Sequence, residues 1–148
     1  MLVRELMKAD VAACAPADAL ANVATEMRNH KCGFVPIVSS TGALAGIVTD
    51  RDLALAVGGS SRTANRMSAA EVMSEPVFGC FSDENAKAAL ATMGKHHVRR
   101  LPMLDKRNGH LAGVLSIDDV VQAPRRRGGP TGEDIADALK QIARMNRR

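Results

Sequence analysis

The sequence predicts a mixed α/β chain of two β-α-β-β-α repeats followed by a C-terminal helix. Three observations carry this. Shifting the first half forward by 66 positions lays Cys14 on Cys80, Met27 on Met93 and Pro36 on Pro102. After one extra residue in a turn, GIVTDRD (Gly46–Asp52) lands on GVLSIDD (Gly113–Asp119). The apolar helical face Leu20, Val23, Ala24, Met27 recurs in phase as Ala86, Ala89, Leu90, Met93. A repeat of this length is a structural unit, and two such units are expected to pack as a pseudo-symmetric pair with a ligand cleft between them.

The elements follow in order. Val3–Met7 leads into the first repeat as Ala69–Met73 leads into the second. A strand is expected before each first helix. Pro16 and Asp18 mark a helix start, with Asp18 as the expected N-cap. Each helix is followed by an apolar run, Phe34–Val38 and Leu101–Leu104, then a turn, then a second apolar run, Ala43–Val48 and Leu111–Leu115. The turns are Ser39–Gly42 and Asp105–Gly109, the latter with Asn108-Gly109, so each pair of runs reads as a β-hairpin. Short helices near 51–57 and 118–122 close the repeats. The expected division is repeat 1 over 1–58, a linker over 59–68 with a flexible joint at Gly58–Ser61, repeat 2 over 69–123 and a basic tail over 124–148. In the tail, Thr131 is the expected cap of a helix whose apolar face is Ile135, Leu139, Ile142 and Ala143.

Composition narrows the function classes. The chain has 148 residues, 46% apolar and 24% charged, ordinary for a globular protein. Trp and Tyr are absent and Phe numbers three, which argues against the aromatic platforms of single-stranded nucleic-acid binders. Residues 1–123 carry 13 basic and 13 acidic side chains, whereas 124–148 carry 7 basic and 3 acidic, so the basic excess belongs to the tail. A solvated or swapped helix is the expected role of that tail, and no nucleic-acid partner is expected. Three cysteines without Cys-x-x-Cys spacing imply neither a disulfide framework nor a zinc knuckle, and reduced thiols in a cytoplasm are expected. Val11–Cys14 imitates a lipoprotein cleavage site, but Arg4, Glu5, Lys8 and Asp10 occupy the stretch that must be apolar. No run reaches the roughly 18 apolar residues of a membrane span, so no membrane partner is expected.

Gly-x-Ser-x-Gly, the Walker phosphate loop and His-Glu-x-x-His are all absent, and no general base has an evident partner, so no catalytic residue and no metal site are assigned.

The ordered features ELM and EVM (5–7, 71–73), VPIV and LPML, and the two Gly-x-x-Thr/Ser-x-x-Asp endings resemble a tandem pair of CBS domains, the regulatory modules named after cystathionine β-synthase. The resemblance covers roughly residues 1–122. It implies a stand-alone regulatory module with no required cofactor, which binds AMP, ADP, ATP or S-adenosylmethionine in the cleft between repeats. It also implies a homodimer that signals to an effector protein through altered packing. Thr49, Asp52, Ser116 and Asp119 are the implied ribose and phosphate contacts: a carboxylate suits a vicinal diol, and N–H groups at a helix start favour an anion. On this reading Asp52 and Asp119 each open a helix. Main-chain groups of Val35, Pro36, Leu101 and Pro102 face adenine. His97, Arg99 and Arg100 form a phosphate clamp that repeat 1 lacks, Gly33-Phe34 standing opposite Arg99-Arg100. Where the family commonly has a Thr or Ser before the first helix, this chain has Ala12–Cys14 and Phe78–Cys80, which leaves backbone groups of Ala13 and Gly79 to serve. The bland alternative is that the two aspartates only cap helices and the pockets are empty, in a structural or interaction module. A third reading is a thiol stress sensor built on Cys14 and Cys80.

Overall fold

The periodicities above are realised in a computed structural model that describes residues 1–75 and 78–144. In order, the elements are α1 (Leu20–His30), β1 (Phe34–Val38), β2 (Leu44–Thr49), α2 (Asp50–Gly58), α3 (Ala69–Val72), β3 (Cys80–Phe81), α4 (Ala86–His96), β4 (Arg100–Leu104), β5 (Leu111–Ser116), α5 (Ile117–Gln122) and α6 (Gly132–Arg144). Single 3-10 turns occur at Val3–Glu5 and Ala64–Arg66. The fold class is the mixed α/β one that the sequence predicts.

The compact units cut across the sequence repeat. One unit is Asp10–Val77; the other joins Met1–Ala9 to Phe78–Arg148. Each lead-in segment therefore packs on the body of the other repeat, not on the one it precedes. Val3 is fully buried with Leu90, Met93, Leu101 and Leu115, whereas Met67 and Ala69 are buried with Leu20, Val23, Val35, Ile37 and Val48. Sequence similarity cannot report this exchange, because equivalent segments swap equivalent places.

In the unit Asp10–Val77, β1 and β2 form an antiparallel hairpin with Val35 opposite Val48, and Gly42 takes the positive φ of its turn. The strand expected before α1 shrinks to a single parallel bridge between Cys14 and Ile37. Asp18 does not cap α1. Its carboxylate accepts the Ala15 N–H at 2.7 Å, closing the turn ahead of the helix. The N-cap is Ala19, and the unmatched Leu20 N–H is donated to the Met67 carbonyl at 2.8 Å, so the exchanged segment does the capping that a side chain does elsewhere.

In the other unit, β3, β4 and β5 form one sheet, β3 parallel to β4 and β4 antiparallel to β5 with Leu101 opposite Leu115. The N-terminal arm extends it: Lys8 and Val114 exchange backbone hydrogen bonds at 3.0 and 2.9 Å. The α4 face is buried as predicted at Ala86, Ala89, Leu90 and Met93. The tail helix α6 packs on this body. Thr131 and Asp134 form a capping box at its start, with Thr131 N–H to Asp134 Oδ2 at 2.7 Å and Asp134 N–H to Thr131 Oγ1 at 3.1 Å. Its buried stripe is Ala138 and Ile142, flanked by Ile135 and Leu139; Ala143 is exposed, contrary to expectation, and Ala138 takes its place.

Candidate functional site

The two Gly-x-x-Thr/Ser-x-x-Asp endings become strand-to-helix corners of the same geometry. Thr49 ends β2 and caps α2, while Ser116 ends β5 and caps α5. In the first corner, Asp52 Oδ2 accepts both the Thr49 N–H at 2.8 Å and the Thr49 hydroxyl at 2.7 Å, and the Asp52 N–H returns to Thr49 Oγ1 at 3.2 Å. In the second, the matching distances for Ser116 and Asp119 are 2.8, 2.6 and 3.1 Å. The carboxylates therefore sit at the third helical position and close reciprocal capping boxes; they do not open the helices as expected from the sequence. The hydroxyl protons of Thr49 and Ser116 go to these carboxylates, not outward.

This arrangement fixes one oxygen of each aspartate, Oδ2, and leaves Oδ1 without a hydrogen bond among the described residues. Asp119 Oδ1 lies 3.5 Å from the Lys8 ammonium, which is 73% exposed while Asp119 is 13% exposed. Sequence reasoning missed Lys8, because the arm that carries it belongs by sequence to the other repeat.

The remaining candidate residues are placed as follows. Val35, Pro36, Leu101 and Pro102 are buried within β1 and β4, so Val35 and Leu101 point their side chains into the cores. The Pro36 carbonyl already accepts the Cys14 N–H at 3.1 Å, which removes one main-chain acceptor expected to face adenine. Ala13 and Gly79 are exposed beside the buried Cys14 and Cys80. A side-chain carbon at Gly79 would come within 3.0 Å of the Pro102 carbonyl oxygen, so glycine there serves close packing.

The basic cluster splits. Arg100 is half-buried and lies directly across the ladder from Ser116. Arg99 is exposed, and its carbonyl receives the Ile117 N–H at 2.9 Å. His97 ends α4 in the left-handed region at φ 57, and its Nδ1 donates to the Gln141 carbonyl of α6 at 2.8 Å. His96 stacks on Phe78 with ring centroids 3.7 Å apart. The geometry brings Arg100 to the Asp119 corner and commits His97 to the tail helix.

A cavity of about 240 Å³ in the unit Asp10–Val77 is lined by Ala13, Cys14, Asp18, Asn22, Thr25 and Glu26. Burial, with Asp18 and Glu26 nearby, pushes the Cys14 thiol up to about 11, and burial likewise raises Cys80. Both thiols are held protonated at neutral pH, the reverse of what a reactive sensor cysteine needs. Among the described residues no cluster of three or more His, Cys, Asp or Glu is arranged to hold a metal ion, and no helix is long and apolar enough to cross a membrane.

Comparison with known proteins adds the following. The family profile described as CBS domain matches residues 3–59 and 69–126. The protein MK0525 of Methanopyrus kandleri is 32% identical over 120 residues, 81% of this chain, which spans only 61% of that relative's length. The protein YlbB of Bacillus subtilis is 30% identical over 147 residues, covering 99% of this chain and 94% of the relative. The CBS domain protein PAE2072 from Pyrobaculum aerophilum, solved in complex with AMP, matches with a TM-score of 0.73 at 21% identity over 97% of this chain and 99% of that one. The CBS domain pair of protein MJ0100, in complex with 5'-methylthioadenosine and S-adenosyl-L-methionine, matches with a TM-score of 0.72 at 22% identity over 82% of this chain and 94% of that one. At these identities the structural likeness speaks for the fold.

Proposed function

Because the chain belongs to the CBS domain family through both of its repeats, we propose that it is a regulatory module that binds an adenosine-containing ligand and signals through altered packing or dimer state. The observation that carries this reading is the pair of matching corners, Thr49–Asp52 and Ser116–Asp119, in each of which one carboxylate oxygen is held by the backbone and hydroxyl of the capping residue and the other is left for a ligand. A carboxylate oriented this way loses little side-chain freedom on meeting a ribose hydroxyl, which favours binding. The AMP bound by PAE2072 and the methylthioadenosine and S-adenosylmethionine bound by MJ0100 support this ligand class.

In the second corner the ribose hydroxyls meet Asp119 Oδ1, and a phosphate meets Arg100, whose planar fork suits phosphate oxygens. AMP, ADP, ATP and S-adenosylmethionine all belong to the ligand class. The ligand is regulatory, not a cofactor, and no chemical step is assigned to the chain. Signalling acts on a homodimer and an effector protein in the cytoplasm. Its size is bounded by the difference in ligand affinity between the two packing states.

Calorimetric titration with AMP, ATP, S-adenosylmethionine and adenosine tests the proposal. Binding in the micromolar range, losing one corner's share in Asp119→Ala or in Asp52→Ala and lost altogether in the double variant, is the expected result. Absence of binding up to millimolar concentration overturns it in favour of an interaction module whose aspartates only cap helices.

A further inference from the structure

Lys8 and Ser74 occupy the same position of the repeat, 66 residues apart. They also occupy the same position in space within their units. Lys8 bridges Val114 and Ser74 bridges Ile47, and these two strand residues are themselves counterparts. Each donates its backbone N–H to the strand carbonyl, Lys8 at 3.0 Å and Ser74 at 2.8 Å. The side chains differ in one respect that matters for a ligand. Lys8 carries an ammonium to 3.5 Å from Asp119 Oδ1, whereas a serine brings no charge to Asp52, which has no ion-pair partner among the described residues.

From this asymmetry we infer that Lys8 is a specificity-determining residue, which makes the Asp119 corner prefer a phosphate-bearing adenosine ligand while the Asp52 corner lacks that preference. The inference rests on the adenosine-binding reading above.

Its physical basis is an exchange of partners. The Lys8 backbone is pinned by its two hydrogen bonds to Val114, but its ammonium is exposed and free to swing on a four-carbon stem. When ribose hydroxyls take Asp119 Oδ1, the ammonium leaves that oxygen. A 5'-phosphate then receives it, whereas a bare nucleoside displaces it and offers nothing in return. Both halves of the exchange favour the phosphorylated ligand. Because the ammonium is solvated, the preference it confers is modest, about fivefold, in line with exposed ion pairs. Arg100 contributes a separate attraction for phosphate, so losing Lys8 reduces the preference without abolishing it.

The experiment titrates the full chain with AMP and with adenosine in an Asp52→Ala background, which leaves only the Asp119 corner. Lys8→Ser is expected to lower the ratio of AMP to adenosine affinity about fivefold, and Lys8→Arg to keep it. In an Asp119→Ala background, Ser74→Lys is expected to raise the same ratio at the Asp52 corner, a gain that does not depend on how Lys8→Ser folds. If Lys8→Ser changes both affinities equally or neither, and Ser74→Lys gains nothing, the selector role is wrong while adenosine binding stands. If neither ligand binds the unmodified chain, the adenosine reading and this inference fall together. If Asp119→Ala alters neither affinity, this inference falls while binding at the Asp52 corner stands.

Discussion

A side-chain carbon at Gly113 would collide with the carbonyl oxygen of Lys8. The glycine that opens the second Gly-x-x-Thr/Ser-x-x-Asp ending is therefore required by the N-terminal arm, which lies flat on β5 at this point. The counterpart, Gly46, faces Met73, whose Sδ would be 2.6 Å and Cβ 3.0 Å from the added carbon. One neighbour is fixed backbone; the other is mainly a flexible thioether.

Gly113→Ala is thus expected to lower stability by about 1–3 kcal/mol, the usual range for overpacking, and Gly46→Ala by less. Urea denaturation of both variants gives the comparison. Equal stability of Gly113→Ala and the unmodified chain would mean that the arm does not occupy this place.

The capping boxes make a second prediction, separable from any ligand. Ser116→Ala and Asp119→Ala each remove part of one reciprocal set of hydrogen bonds, and each is expected to cost about 1 kcal/mol without ligand. Since the two residues act as one unit, the double variant is expected to cost clearly less than the sum of the singles. Additive losses in a denaturation cycle would contradict the geometry at 2.6–3.1 Å. With ligand present, Ser116→Ala weakens binding even though Asp119 remains, because the carboxylate loses the bond that orients it.

The hairpins, both long first helices and the Thr/Ser–Asp corners were legible in the sequence because each rests on local periodicity or on residues three apart. The α4 face needed only its own spacing, and Thr131 announced α6, with Asp134 completing the capping box. What was not legible depends on segments distant in sequence. Asp18 looks like a cap, yet the Met67 carbonyl takes the first helical N–H. His97 looks like part of a basic clamp, yet α6, 44 residues on, claims its ring. Lys8 was hidden by the exchange of lead-in segments, and the Lys8–Ser74 difference at a spacing of 66 was the one signal that could have exposed it.

The tail helix is part of its unit's core. Ile142 is 8% exposed and packs with Ala138 into the cluster that holds Leu90 and Met93. Ile142→Ala is expected to cost about 2–4 kcal/mol, in the range for buried aliphatic truncations. Gly94 belongs to the same contact, since a side-chain carbon there would lie 2.6 Å from Gln141 Oε1. Thermal melts of Ile142→Ala and of a chain ending at Pro130 should both shift downward, independently of protein concentration. Concentration-dependent melting restored to the original midpoint would instead favour a swapped arm.

Cys14 supplies a pH dependence with a definite sign. Burial raises its thiol from an ordinary 9.0 to about 11. The folded state therefore holds the proton over a window in which the unfolded chain has released it. Its contribution to stability is fully present below pH 9 and is lost as pH rises through about 11. Comparing urea midpoints at about pH 7 and about pH 10 for the unmodified chain and Cys14→Ala isolates this residue, because lysines titrate in both. The expected result is a smaller alkaline loss in the variant. In the same folded protein, alkylation should reach the half-buried Cys32 well before Cys14, which is 7% exposed. Rapid modification of Cys14 at neutral pH would revive the thiol-sensor reading that its burial now opposes.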